Sequence, residues 1–209
     1  MIVSISGSEG VGKSTLLNYF TRKTNFEAIE EKAEEAAKAW KGEHYTSLLE
    51  TLEEVKDSPE DYVSLQFDMV KRWEHSLPGE FSAKPGNGDY ITDRSPIDSA
   101  AYLLMNVASR LSQKDTEDAL VPMLKASRKV DLHVIIPFET SRSYLKKSAS
   151  KLGEEGWRVN NTYYTEAYQD ILLGVLVRSN TPFVMLEGET IVERYSSLKK
   201  IIKSYRLGG

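Results

Sequence analysis

The first fourteen residues leave few folds open to this chain. Met1 to Ser6 is a short, mostly apolar run, followed at once by Gly7-Ser8-Glu9-Gly10-Val11-Gly12-Lys13-Ser14, and a helical segment begins near Lys13. The loop satisfies the spacing G-x-x-x-x-G-K-[ST]. Strand, glycine loop and helix in that order open an α/β unit. Glycine is needed because side chains would block a dense anion from the backbone N–H groups, and because positive φ must be accessible. In such a loop Lys13 would reach the β- and γ-phosphates of a nucleoside triphosphate, Ser14 would ligate Mg²⁺, and the helix start adds its positive dipole end. The candidate nucleotide-binding residues are Gly7, Ser8, Glu9, Gly10, Val11, Gly12, Lys13, Ser14 and Thr15. The plain alternative is an ordinary glycine-rich turn.

Further along, apolar spacing predicts a short strand at 26–29, then a helix with the stripe Ala33, Ala36, Ala37 and Trp40. Leu48, Leu52 and Val55 mark another helix stopped near Ser58-Pro59, and helical period continues through 61–77. Residues 78–88 read as a loop, and 89–92 as a strand ending in Asp93-Arg94-Ser95-Pro96. Ile97, Ala101, Leu104 and Ala108 line the next helix, with Pro96 in its first turn. A helix at 115–127, a strand at 130–136, a charge-rich helical stretch from 140 to 177, a strand at 181–186 and a final helix bearing Ile191 to Tyr205 complete the pattern. Alternation of this kind implies a mainly parallel sheet of about five strands with helices on both faces. The expectation is one domain over residues 1–209, with 140–178 as a helical lid and the helix after it.

Composition removes whole classes of chemistry. With no cysteine, disulfides, thiolate nucleophiles and Cys-ligated metals are excluded. Twenty-seven Lys and Arg against 31 Asp and Glu give a net charge of −4, so nothing global draws the chain to nucleic acid or anionic membrane. No apolar window is long enough for a membrane helix, and no basic region precedes the first strand, so a cytoplasmic location without membrane contact is expected. His44, His75 and His133 lack metal-ligand spacing, and His133 falls inside a strand. The guanine motif N-K-x-D and the switch motif D-x-x-G are both missing, which argues against a GTPase, and the Asp93-Arg94 ending differs from the acidic pair of mechanical ATPases.

The loop Gly7 to Ser14, the segment Asp93-Arg94-Ser95-Pro96-Ile97-Asp98 and the charged stretch after the 130–136 strand together resemble the thymidylate and deoxynucleoside kinase group of P-loop kinases, including phage 5-hydroxymethyl-deoxyuridine DNA kinases. Ser95 is more similar to the deoxynucleoside kinases than to thymidylate kinases proper, which carry an aromatic or His there. The resemblance implies the three-layer P-loop NTPase fold and ATP- and Mg²⁺-dependent phosphoryl transfer to a deoxynucleoside, a nucleoside monophosphate or a modified base in DNA. It also makes a homodimer a candidate assembly. It places a base toward the acceptor hydroxyl at Glu31, or else Glu30, although Glu27 to Glu35 also reads as a solvated charged helix start.

Asp93 can be read without the resemblance. A carboxylate at the carboxyl end of a parallel strand faces the ligand crevice, where it could hold Mg²⁺ or accept a hydroxyl proton. The adjacent Arg94 could grip an acceptor phosphate or the transferring group; alternatively the two form a structural pair capping the next helix. Arg142 and Lys146 share a helical face and suit a lid that neutralises charge and excludes water, followed by Lys147, Lys151 and Arg158. Gln66, Phe67 and Trp73 lie where related kinases hold the acceptor base, although Phe67 and Trp73 also read as core residues, and Tyr163, Tyr164 and Tyr168 are either a helical stripe or part of the lid. The catalytic set is therefore Lys13, Asp93, Arg94 and Arg142; the substrate set is Glu31, Gln66, Arg94 and Arg158; the metal set is Ser14 and Asp93. For DNA, Lys84, Arg110, Lys114, Lys125, Arg128 and Lys129 would supply a cationic track. A regulatory ATPase with no acceptor is the remaining alternative.

Overall fold

The computed structural model describes residues 1–30, 32–55, 57–77, 88–141 and 161–208. Its strands are β1 Ile2–Ser6, β2 Glu27–Ile29, β3 Tyr90–Asp93, β4 Leu132–Ile135 and β5 Phe183–Met185. The α-helices are α1 Lys13–Thr21, α2 Ala33–Lys41, α3 Leu48–Val55, α4 Pro59–Ser76, α5 Pro96–Asn106, α6 Gln113–Ser127, α7 Thr162–Arg178 and α8 Ile191–Gly208. The strands form one sheet in the order β2-β3-β1-β4-β5, every neighbouring pair parallel. The expected five-stranded parallel sheet between helices is what the chain folds into.

Strand periodicity divides the two faces. Val3 and Ile5 of β1 point toward α1 and α8, where they join Leu16, Leu17, Phe20, Leu198 and Ile202 in one core. Burying each such large apolar side chain stabilises the fold by about 1.5–3 kcal/mol. The opposite face carries α5, with the remaining helices gathered in a second core around Ile97, Leu103, Met123 and Leu172. Here β1 is polar: Ser4 and Ser6 are both fully buried. Ser4 lies in register with Thr92 on one side and His133 on the other, so a row of three buried polar side chains crosses the middle of the sheet.

Three local readings change. Trp40 is 41% exposed, because α2 packs through the smaller Ala33, Ala36 and Ala37. The helix after β3 stops at Asn106, and Ala108 belongs to a separate turn of 3₁₀-helix spanning Ala108–Arg110. The fourth helix begins at Pro59 rather than 61, since proline at the first helical position loses no useful N–H. Residues 78–87 and, within the lid stretch, 142–160 lie outside the described residues.

Candidate active site

Gly7, Gly10 and Gly12 have φ of 140°, 77° and 93°, all in the region that disfavours a Cβ. A Cβ on Gly7 would also lie 2.8 Å from the Ile136 carbonyl oxygen. These conformations curl the chain between β1 and α1 into a loop at the carboxyl end of the sheet, where ligands bind in parallel α/β folds. Lys13 folds back over it and is buried, its Nζ donating to the carbonyl oxygens of Gly7 at 2.9 Å and Ser8 at 2.8 Å. An ammonium held by the loop's own carbonyls can exchange them for the oxygens of an anion.

Ser14 and Thr15 begin α1 and are exposed. The Ser14 hydroxyl donates to Asp93 Oδ2 at 2.5 Å, joining the loop to the end of β3. Register explains the meeting: Asp93 pairs with Ile5 and so points to the α1 side of the sheet. Asp93 Oδ1 is buried without a hydrogen-bond partner. A hydroxyl beside a carboxylate with spare acceptor capacity suits a hard cation such as Mg²⁺. No group of three metal-ligating side chains occurs among the described residues, so phosphate and water oxygens would complete the shell.

Arg94 follows with φ 65°, one of two non-glycine residues in that region among those described. Such strain persists only where neighbours over-determine it. Its N–H donates to the Ile5 carbonyl, and its own carbonyl accepts from Thr92 Oγ1 at 2.8 Å. Trp73 Nε1 in turn donates to Thr92 Oγ1 at 3.1 Å. The guanidinium lies 5.2 Å from the centre of the Tyr102 ring and 4.0 Å from Glu9 Oε1.

Asp93 and Arg94 do not cap the next helix. Ser95 and Asp98 do, in a reciprocal capping box. Asp98 is fully buried, its carboxylate accepting from the Ser6 hydroxyl at 2.7 Å, the Ser95 N–H at 3.0 Å and the Tyr168 hydroxyl at 2.7 Å. Desolvation raises its pKa, opposed by the charge of Arg94 and by the hydrogen bonds from Tyr168 and Ser6. His133 Nδ1 meets the Ser4 hydroxyl at 2.8 Å and the Ser95 hydroxyl at 3.4 Å, and burial pushes its pKa down to about 4.

Beside the glycine loop opens a pocket whose walls include Tyr62, Gln66, Trp73, Asp93, Arg94 and Tyr102. Gln66 is 3% exposed, and its Oε1 has no hydrogen-bond partner, so a directional acceptor stands on α4 among Tyr62, Met69, Val70 and Trp73. Glu9, read from sequence only as part of the phosphate loop, also lines this pocket.

The structure thus brings Gly7 to Ser14, Asp93, Arg94 and Gln66 together. Glu31, Arg142 and Arg158 lie outside the described residues, as do Lys146, Lys147, Lys151 and Lys84; Glu30 is exposed just beyond β2. Phe67 packs against the helical core, Tyr168 is buried on Asp98, and Tyr163 is 85% exposed. Of the candidate cationic track, Lys129 pairs with Glu74 and Arg110 lies 3.9 Å from Asp57.

Residues 2–194 match the model of a family described as an AAA domain, AAA_28. The chain belongs to that family. No curated protein matches this AAA domain. Among solved structures it resembles deoxyadenosine kinase from M. mycoides with bound dATP, at 18% identity and TM-score 0.59, covering 97% of this chain and 100% of that one. It resembles thymidylate kinase from Candida albicans at 16% identity and TM-score 0.61, covering 98% and 92%. It also resembles NadR protein in complex with NR, at 18% identity and TM-score 0.60, covering 98% of this chain and 49% of that one. At these identities the AAA domain shares their fold.

Two residues are given no role by the sequence reading. Asp98 had a signal, since Ser95-Pro96-Ile97-Asp98 has capping-box spacing. Arg194 had one too: it falls three residues after Ile191 and four before Leu198, on the apolar stripe of the last helix. It is fully buried.

Proposed function

We propose that this AAA domain is a kinase that transfers the γ-phosphoryl group of ATP to a nucleoside or nucleoside monophosphate. The observation that carries the reading is the Ser14–Asp93 hydrogen bond, which sits at the junction of the glycine loop and the adjoining pocket. A donor site and an acceptor site sharing one seam is the arrangement in-line transfer requires. A site for hydrolysis alone would have no use for a second, aromatic-lined pocket with a buried amide on its wall. The three solved structures named above, two of them kinases in title, share this fold and add support.

Each residue then has a part. Backbone N–H groups of residues 7–14 hold the triphosphate, and Lys13 leaves the Gly7 and Ser8 carbonyls to bind phosphate oxygens. Ser14 and Asp93 would hold Mg²⁺, which when bound supplies charge neutralisation on the phosphates. Arg94, fixed by its turn, faces the pocket, where its guanidinium can bind the acceptor's phosphate or the group in transit. Trp73 and Tyr102 offer apolar and ring surface for a base, and Gln66 Oε1 accepts from a base N–H. Glu9 can accept from a sugar hydroxyl. Arg142 and Arg158 remain the proposed lid cations and Glu31 the proposed base.

The test is a labelled-phosphate screen with ATP and Mg²⁺ against nucleosides, nucleoside monophosphates and DNA containing 5-hydroxymethyluracil. The expected result is one labelled free nucleotide product, lost in Lys13→Ala. Label on the modified DNA alone would move the activity to the DNA-base reading. ATP turnover with no labelled acceptor would refute the kinase reading in favour of a regulatory ATPase.

A further inference from the structure

Three segments border the proposed triphosphate site: the glycine loop, the turn after β4 that leads toward the lid stretch, and the β5–α8 connection. One side chain bonds to all three. Arg194, on the first turns of α8, donates from Nη1 to the Val11 carbonyl at 2.6 Å and from Nε to the Gly188 carbonyl at 3.0 Å. Its Nη2 donates to the Thr140 carbonyl and to the Ser141 hydroxyl, each at 2.9 Å. The side chain is completely buried although it carries a charge, which is rare and costly unless every donor is matched. Its surroundings are built for it. Gly188 has φ 115°, and a Cβ there would lie 2.9 Å from the Arg194 nitrogen and 2.8 Å from Glu193 Cβ, so the connection wraps too closely around the helix start to admit a side chain.

The contact with Val11 acts on the anion site through peptide geometry. In a planar trans peptide, the Val11 C=O and the Gly12 N–H point in opposite directions. Drawing that carbonyl toward Arg194 therefore turns the Gly12 N–H away from α8. With glycine on its carboxyl side, at φ 93°, this peptide turns more readily than one between two residues bearing a Cβ, and an outside constraint selects one orientation. Thr140 and Ser141 lie one turn beyond β4, so the same guanidinium also anchors the entry to the lid stretch.

We infer that Arg194 is a positioning residue for nucleotide binding, holding the Val11–Gly12 peptide in its anion-binding orientation and tying the glycine loop to the lid entry and the β5–α8 connection. This rests on the kinase reading above and extends it to a residue that touches no substrate. A preorganised loop spends no binding energy on selecting its conformation, so the effect falls on nucleotide affinity.

The experiment compares wild type, Arg194→Lys, Arg194→Met and Ser141→Ala. The readouts are the Kd of a fluorescent ATP analogue with Mg²⁺, the separate KM values for ATP and acceptor, and thermal unfolding without ligand. Arg194→Met should raise the nucleotide Kd and ATP KM by about tenfold or more. Arg194→Lys keeps the charge but reaches fewer of the four acceptors, and should fall between. The acceptor KM should stay unchanged, and Ser141→Ala, losing one hydroxyl, should show the smallest effect. A merely structural role would lower the melting temperature while leaving Kd and both KM values as in wild type, and that result in folded Arg194→Lys overturns the proposal even if Arg194→Met fails to fold. Failure of wild type to bind the analogue would overturn the kinase reading as well; wild-type binding with unchanged variants would overturn this inference alone.

Discussion

Arg94 allows backbone strain and side-chain function to be separated. At φ 65° a residue with a Cβ stands about 1–2 kcal/mol above its relaxed state. Arg94→Ala keeps that strain and removes the guanidinium; Arg94→Gly removes both, but makes the unfolded chain more flexible at a cost of about 0.4–1 kcal/mol. The balance leaves the glycine variant more stable than the alanine variant by roughly 0.5–1 kcal/mol, the reverse of the ranking at an ordinary position. Loss of the Tyr102 ring contact and the Glu9 ion pair is common to both and should cost about 1 kcal/mol relative to wild type. Urea unfolding followed at a common m-value reads these differences as midpoint shifts. Phosphoryl transfer, measured on the same preparations, should fall by a similar factor of about 10²–10³ in both variants, because each loses the charge. An alanine variant as stable as the glycine variant, or more so, would show that the turn after β3 carries no strain. Transfer retained by either would remove Arg94 from the chemistry.

Asp93→Asn keeps an oxygen for the Ser14 hydroxyl but loses the charge, so transfer should drop by about 10²-fold or more, while nucleotide affinity without Mg²⁺ stays near wild type and its gain on adding Mg²⁺ disappears; titrations with and without Mg²⁺ check this, and an unchanged Mg²⁺ response would exclude Asp93 as a ligand. For His133, the folded pKa of about 4 lies below the ordinary 6.5, so the unfolded chain binds more protons between those values and stability falls as pH drops through that window. The loss from this residue should be about 2 kcal/mol between pH 7 and pH 5, and His133→Asn should flatten the slope of urea stability against pH over that range; an identical slope would refute the assignment.

What was legible in the sequence was what adjacent residues determine together. The glycine loop, its flanking strand and the helix starting at Lys13 are a contiguous signal, and the structure places them in that order. The same is true of Asp93 at the end of β3, since a strand's carboxyl end can be counted along the chain. Trp40 misled because helical period identifies a stripe without saying how far it reaches, and α2 needs only its alanines to pack. The row Thr92, Ser4 and His133 was beyond reach for a different reason. Its members come from β3, β1 and β4, and only the register of a sheet whose sequence order is scrambled makes them neighbours.

That buried row bears on the site, because hydrogen bonds from both of its ends reach one turn. Trp73 holds Thr92, Thr92 holds the Arg94 carbonyl, and His133 meets Ser95, whose neighbour three residues on is the buried Asp98. Each polar group could have been an apolar side chain at lower desolvation cost, as Val3 and Ile5 are on the other face. The polar choice falls on the face beneath Arg94 and Ser95, where the backbone adopts a conformation that an apolar packing surface, lacking direction, could not hold. Directional bonds fix dihedral angles; dispersion contacts fix only distances. The strain at Arg94 and the buried polar seam are therefore one feature, and weakening any bond in the chain from Trp73 to Arg94 should be felt at the guanidinium before it is felt in the core.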